Sequence, residues 1–475
     1  MEKFPYFAAN ASCAKRVFDE GERDDIRDEY QIDRDRILYS KAFRRLRGKT
    51  QIFIAGYDDH VRNRLSHTLE VCQIARTISK ALGLNELLTE AIALGHDLGH
   101  TPFGHVGERL LHDISCGSKI LAEKGFCHEK SSHGFKHNWQ SVRVACNLEY
   151  HNRDFPGLNL TKETLWGFLH HSGLSYSGVD VPFYKTIYGD LLPDHDCWSF
   201  EGIVVNLADE IAQRHHDIED GLITEILDRK SLIACLEKTY EKVPGKNAER
   251  LKHLWQTARD EIYPEFYFET LARGIVNFYV SETVENTEKI FNTIAEEYLT
   301  GDDKAKIFYE KKGEIWSDFV RNEKAFVRAM MSEPLYNADS ELQSNYFKKR
   351  ILLSHQAQKN DGKAQYVIRK IVEAYLTNPQ QMPDNAIIML FVNCEAANKY
   401  DKQLESMNKV LSKEQERPEN IGLWRQRLEQ LYKDNDCALK KALVRTVIDY
   451  VAGMTDDYAI AVYEQLYGGI KQNRY

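Results

Sequence analysis

The sequence predicts an all-α protein, a helical core followed by a long helical C-terminal region. Three observations point there. The 475 residues contain only 11 prolines and 27 glycines, too few punctuating residues for many short strands. Apolar residues recur at helical spacing, as in Leu69, Val71, Ile74, Ala75, Ile78 and Leu82, and again in Ile203, Val204, Leu207, Ala208 and Ile211. From about residue 225 onward the chain is mostly amphipathic in the same sense, broken at Pro244-Gly245, Gly301, Pro334, Gly362, Pro379, Pro383 and Pro418.

Composition narrows the function classes. A chain of this length buries at least one large core. With 43% hydrophobic and 28% charged residues it reads as an ordinary globular protein. A net charge of -9 excludes a general nucleic-acid binder, so phosphate contacts must come from local basic clusters. The nine cysteines form no CxxC pair, which argues against a zinc ribbon or a disulfide framework and fits a reducing cytoplasm. The start, Met-Glu-Lys-Phe-Pro-Tyr, has no basic region leading into an apolar core, and no run reaches the length of a membrane span. The expectation is a cytoplasmic protein without a membrane partner.

Taken in order, residues 1–30 are mixed and charged and read as an exposed arm. Residues 32–46 show one helical period (Ile32, Ile37, Leu38, Ala42, Phe43, Leu46) crowded by Arg34, Arg36, Arg44, Arg45, Arg47 and Lys49. Ser66 is a candidate N-cap for a helix to Gly83, which places His67 in its first turn. Asn85 caps the next helix, which ends at Gly95-His96-Asp97. The tight turn at Gly83 makes the two helices antiparallel and allows His67 to lie beside His96. Residues 112–136 read as an irregular insertion. A helix through Val142 to Leu148, a short one from Thr161 to His171, and a long loop over 173–198 follow. The helix around Asn206 to Ala212 carries Asp209 beside its buried stripe. The expected division is 1–61, arm and basic helix; 62–224, catalytic core; 225–475, helical scaffold, oligomer interface or regulatory surface.

The chemistry concentrates in residues 94–108, Leu-Gly-His-Asp-Leu-Gly-His-Thr-Pro-Phe-Gly-His-Val-Gly-Glu. His96, Asp97, His100, His105 and Glu108 stand among five residues that break regular structure, Gly95, Gly99, Pro102, Gly104 and Gly107. Such density suits backbone folded closely around a charged ligand. His67, His96, Asp97 and Asp209 supply two imidazoles and two carboxylates. That mixture suits a divalent ion with open positions, Mn or Mg, with Fe, Ni and Zn also admitted, rather than a closed structural zinc site. An open site does Lewis-acid work on a phosphoryl oxygen or a water. His105 and Glu108 are three residues apart, so on a helical turn the carboxylate orients the imidazole as a general acid or base.

These residues resemble the HD-domain superfamily of phosphohydrolases: His67, His96-Asp97 and Asp209 stand as its H…HD…D signature. Within it the resemblance is to the deoxyguanosine triphosphate triphosphohydrolase (dGTPase/dNTPase) family. It extends over Arg34-Asp35-Arg36-Ile37, Ala42-Phe43-Arg44-Arg45-Leu46, Lys49-Thr50-Gln51, Arg64 to Val71, Gly95 to Glu108, His137-Asn138 with Gln140-Ser141, Asn159-Leu160-Thr161, Asn206 to Ile211, His216-Asp217, Asp220-Gly221, and Asp449 to Asp456. That is nearly the whole chain. The resemblance implies an HD-domain helical core, a homo-oligomer (hexameric in relatives), and hydrolysis of a deoxynucleoside triphosphate, dGTP by default, to deoxynucleoside and intact triphosphate by water attack at the α-phosphorus. It implies His67, His96, Asp97 and Asp209 as metal ligands, His105, Glu108 and His137 as catalytic, Lys49, Gln51 and Arg64 near the triphosphate or sugar, and Asp217 near the sugar 3′ hydroxyl. A densely anionic substrate also needs basic groups beside the metal, for which Arg44, Arg45 and Arg64 are the candidates. Some relatives are switched on by a second deoxynucleotide and some bind single-stranded DNA; the resemblance admits both. One departure is Gln213, where many relatives have Tyr. Two other readings fit an H…HD…D signature: a nucleotidase acting on monophosphates, and a catalytically silent nucleotide sensor or nucleic-acid-binding regulator.

Overall fold

The computed structural model describes residues 3–21, 23–51, 62–117, 121, 126, 134–149, 155–172, 181–241, 243, 246–261, 263–396 and 421–468. The middle of the expected 112–136 insertion and the first part of the 173–198 loop lie outside them. The described residues form helices joined by loops, and their only β-type pairing is an isolated bridge between Thr50 and Asn63.

Local chemistry sets the helices that carry the site. α1 (Glu29–Tyr39) begins with a reciprocal capping box between Asp28 and Gln31. It does not run on to Leu46: Ser40 ends it, and the Ser40 hydroxyl accepts from Phe43 N at 3.1 Å to start α2 (Lys41–Arg45). The expected single helix over 32–46 is therefore two. α3 (Arg64–Leu82) is capped by Asn63, whose side chain accepts from Ser66 N at 3.0 Å. Ser66 is not the cap, because a better acceptor stands three residues earlier. Gly83, at φ 79°, takes the left-handed turn, and the Asn85 side chain caps α4 (Glu86–Gly95). α3 and α4 form the expected hairpin, with the His67 and His96 rings 5.7 Å apart.

α5 (Gly104–Ser115), α6 (His137–Arg143), α7 (Lys162–His170) and α8 (Pro182–Tyr188) follow. Part of the expected 173–198 loop is thus helical, anchored by the buried rings of Tyr184, Tyr188 and Trp198. The long α9 (Phe200–Ile223), capped by Ser199, packs on α3, α4 and α7 and closes the first core. The close approach behind the site occurs at Gly99: a Cβ there would stand 2.2 Å from Ser141 N and 2.4 Å from His137 O. Only glycine lets the loop after Asp97 lie against the start of α6.

The N-terminal arm departs from expectation. Phe4 and Phe7 are buried, and Phe7 packs edge-on to Phe200 at 5.3 Å and against Phe291 at 4.7 Å. Arg16 pairs with Asp33 at 2.6 Å and Glu29 at 2.7 Å. Two aromatic residues around a proline have no helical or strand period, so their burial leaves no periodic trace in the sequence.

A second core joins α5 to the C-terminal helices. Phe103, Leu111 and Ile114 pack in one cluster with Ile368 and Ile371 of α10 (His355–Thr377) and with Leu443, Val447 and Val451 of α11 (Cys437–Ala452). Asp456, at the start of α12 (Asp456–Tyr467), accepts from Phe103 N at 2.8 Å and Thr50 N at 3.0 Å. The C-terminal region therefore fixes the loop and helix that carry His105 and Glu108.

Candidate active site

α3, the end of α4 and the middle of α9 converge on one group of donors. His67 Nε2 lies 3.0 Å from Asp209 Oδ1, and His96 Nε2 lies 3.7 Å from Asp97 Oδ2. One ligand atom from each of His67, His96 and Asp97 lies within 4.8 Å of the others. His96 Nδ1 is 2.7 Å from Ala93 O, so it carries the ring proton; Nε2 is left as a lone pair, buried and without a partner. A buried lone pair among carboxylates is the donor set a divalent cation satisfies. Burial pushes the Asp97 carboxyl up, but Arg64 and His96 outweigh it and hold it well below the usual carboxylate range.

The second half of the site is built on α5 and α6. Glu108 Oε2 lies 3.1 Å from His105 Nδ1 and 3.1 Å from His137 Nδ1, while Oε1 lies 3.2 Å from Lys136 Nζ. Burial alone would raise Glu108; His137 and His105 hold it well below its ordinary value. The His105 side chain is 62% exposed and Glu108 only 1%, so the imidazole reaches solvent from an anchored carboxylate. His137 is pushed down by burial, partly offset by Glu108.

Sequence reasoning left three neighbours unassigned. His100 stacks on His137 at 4.6 Å, and its Nδ1 accepts from Thr101 N at 3.1 Å. Its proton therefore sits on Nε2, which is buried without a partner and can donate to an anion. Burial, then Arg64, pushes this imidazole well below its ordinary range and keeps it neutral. His171, at the end of α7, anchors Nδ1 on Phe168 O at 2.6 Å and brings Nε2 to 3.1 Å from His137 Nε2. Asp97, His137 and His171 form a further group with ligand atoms within 4.8 Å. His216 sits behind His67, their Nδ1 atoms 3.2 Å apart. His100 lies inside the dense 94–108 stretch, and His216 is two turns beyond Asp209, so spacing offered a signal for both. His171 offered none.

The expected substrate contacts separate into groups. Arg64 is buried against Asp97 through one guanidinium nitrogen, and its Nε and second terminal nitrogen have no partner. Gln51, Gln213 and Asp217 form a chain: Gln51 Nε2 reaches Gln213 Oε1 at 3.4 Å, and Gln213 Nε2 donates to Asp217 Oδ1 at 3.1 Å. Asp217 is pushed up to about 7 by burial. Lys49 is buried with its ammonium on the carbonyls of His100 and Ala452, and burial lowers it to about 7. Arg44 is exposed. Arg45 pairs with Glu149 at 3.3 Å and lines a separate cavity of about 480 Å³ together with Gly99, Asp449 and Thr455. The structure thus gathers the four expected ligand residues with His105, Glu108, His137 and Arg64. It joins Gln51 to Asp217, and it engages Lys49 and Arg45 with groups of the protein itself.

A helical core that presents His67, His96-Asp97 and Asp209 from three helices defines an HD-domain protein, and residues 64–221 match the HD domain family. Residues 393–465 match the phosphohydrolase-associated domain. The chain is similar along its length to proteins named deoxyguanosinetriphosphate triphosphohydrolase-like: 30% identical to one from Leptospira interrogans, over 97% of this chain and 95% of the relative. It is 33% identical to one from Clostridium perfringens, over 94% and 89%, and 31% identical to one from Roseobacter denitrificans, over 94% and 93%. The chain belongs to this deoxyguanosinetriphosphate triphosphohydrolase-like family. No helix among the described residues is long and apolar enough to cross a membrane.

Proposed function

We propose that the protein is a metal-dependent hydrolase that cleaves deoxynucleoside triphosphates, dGTP foremost, to deoxynucleoside and intact inorganic triphosphate. The observation that carries this reading is the adjacency of two devices: the donor set His67, His96, Asp97 and Asp209, and the solvent-reaching His105 braced on Glu108, linked through His137, which shares a donor group with each. A divalent ion such as Mn or Mg held by the first supplies Lewis-acid polarisation of a phosphoryl oxygen and a more acidic water.

The chain's own groups supply the rest. Arg64 offers two buried, unpartnered nitrogens, and His100 offers an unpartnered Nε2–H, all suited to phosphoryl oxygens. With Nδ1–H on Glu108, a protonated His105 presents Nε2–H to the leaving 5′ oxygen, a poor leaving group that needs a proton. His137, held by the same carboxylate, orients the opposite side of the phosphoryl group. Asp217 with Gln51 and Gln213 suits the sugar hydroxyl, and Gln213, in place of an aromatic ring, sets the base pocket apart from many relatives. In this reading residues 62–224 carry the chemistry, and residues 225–475 brace it and supply the surface for homo-oligomer assembly.

Product analysis tests the reading. Metal-stripped protein is loaded with Mn or Mg and given each deoxynucleoside triphosphate singly and then as a mixture, and products are resolved by ion exchange. Deoxynucleoside with intact triphosphate is the expected result, and turnover only in the mixture adds an activating nucleotide site. Diphosphate with orthophosphate would place attack at the terminal phosphorus and overturn the proposal. Hydrolysis confined to monophosphates would move the assignment to a nucleotidase, and no turnover under any condition would leave a nucleotide sensor.

A further inference from the structure

At the ring nitrogen of His67 opposite to Asp209 begins a chain of hydrogen bonds that leads away from the donor set. His67 Nδ1 lies 3.2 Å from His216 Nδ1, and His216 Nε2 lies 2.7 Å from Glu70 Oε2. His67 and His216 are 1% and 0% exposed, so water does not substitute for either contact. Glu70 is three residues from His67 on α3, and His216 is seven from Asp209 on α9. The chain therefore ties together the two helices that carry two of the ligands.

The protons along this chain follow from what each atom can do. Glu70 accepts from His215 Nδ1 at 3.0 Å and from Arg62 Nε at 2.8 Å, and hydrogen bonds of this kind, His215's first, hold its carboxyl well below the ordinary range. A carboxylate only accepts, so His216 carries its proton on Nε2. The Nδ1 of a neutral His216 is then a lone pair, and the contact with His67 is a hydrogen bond only if His67 Nδ1 donates. His67 Nε2 is left as a lone pair, and it faces Asp209 Oδ1 at 3.0 Å. Two such acceptors repel each other unless a cation lies between them. The alternative, that Glu70, His215 and His216 are themselves a cation site, conflicts with the Arg62 guanidinium on Glu70 and with the donor nitrogens both rings turn toward it.

We propose that Glu70 is a positioning residue for the cation site: acting through His216, it fixes His67 as the Nδ1-protonated tautomer and so keeps Nε2 available as a ligand beside Asp209. This rests on the reading that His67, His96, Asp97 and Asp209 hold a divalent cation. A glutamine at position 70 would keep the size of the side chain but could donate as well as accept, so the direction of the chain would no longer be imposed.

The test is Mn2+ affinity, read as free Mn2+ by electron paramagnetic resonance in titrations of the metal-stripped full chain. Glu70→Gln and His216→Gln are each expected to weaken binding by about 10–100-fold, the cost typical of losing an outer-shell partner of a metal ligand. The double variant should be no weaker than the weaker single, because both break one chain. Glu219→Gln is the control: it touches His215 at 3.2 Å and Arg62 but not His216, and should leave affinity unchanged. An equal loss in Glu219→Gln, or wild-type affinity in folded Glu70→Gln and His216→Gln proteins, would overturn the proposal. Nitrogen-15 spectra of histidine-labelled, Zn2+-loaded wild-type protein decide it without any variant: His67 should be protonated at Nδ1 and cation-bound at Nε2, and the reverse would overturn it. Wild-type protein that binds no Mn2+ would instead sink the cation-site reading beneath it.

Discussion

Asp97 and Asp217 are almost equally removed from water, 3% and 8% exposed, yet the protein treats their charge in opposite ways. At Asp97 the burial penalty is outweighed, chiefly by Arg64, and the carboxylate stays ionised. At Asp217 the strongest opposing group is a neutral amide, Gln213; Arg214 adds less, Asp220 and Asp339 push the other way, and the carboxyl rises to about 7. Burial does not decide charge; the partners built around the buried group do. The protein thus keeps one buried carboxylate charged beside an arginine, where a cation or an anion-binding guanidinium can act, and another close to neutral, where a hydroxyl group suits it. Glu108 belongs to the first kind, braced by two histidines.

Removing the charge of Asp97 should have the largest effect. Asp97→Asn takes away a proposed ligand and leaves Arg64 without its counter-charge. Turnover is expected to fall by more than the roughly 10²–10³-fold that loss of one preorganised electrostatic group costs, together with loss of measurable Mn2+ binding. Turnover close to wild type in the Asp97→Asn protein would mean that the Asp97 charge is structural. A smaller effect is expected from His105→Gln, which removes the proposed proton donor and leaves the proposed ligand set in place. Here kcat should drop by about 10²–10⁴-fold, the usual worth of a general acid or base, while Mn2+ affinity holds. Unchanged turnover would remove His105 from the chemistry, and a parallel loss of Mn2+ affinity would show that the two devices are not separable.

The same contrast explains what was legible in the sequence. The candidate site announces itself, because its residues come in adjacent pairs or at helical spacing: His96-Asp97, His105 with Glu108, and Asp209 on an apolar stripe. The all-α fold was legible for a similar reason, since period and capping residues such as Asn85 are local. What was hidden depends on helices meeting across the chain. His171 enters the site because Asp97, His137 and α7 converge there. Lys49 looks like a phosphate ligand in a basic run, but the fold turns its ammonium onto the carbonyls of His100 and Ala452. Phe4 and Phe7, in what reads as an exposed arm, are core residues because α9 and later helices offer a pocket for them. Asp217 reads in sequence as one more acid, and only its surroundings show that it resists ionisation.

The last prediction concerns that resistance, and its effect is the smallest. A carboxyl whose value rises from 3.8 to about 7 on folding binds its proton more tightly in the folded state. The folded protein then holds more protons than the unfolded chain between these values, so stability falls as pH rises through that window. The contribution is fully present below about pH 4, is lost progressively toward pH 7, and changes little above it. The slope is at most about 1.4 kcal/mol per pH unit. Asp220, pushed up to about 6 by burial, acts in the same direction and keeps part of the decline in any single variant. Asp217→Asn keeps the shape and an oxygen to accept from Gln213 but removes the titration. Urea-unfolding midpoints taken at pH 5, 6 and 7 should therefore decline less in the variant than in the wild type, with the two proteins diverging most at pH 7. A variant that follows the wild-type decline would show that Asp217 is already ionised across the window, and Asp97 and Asp217 would then follow one rule instead of two.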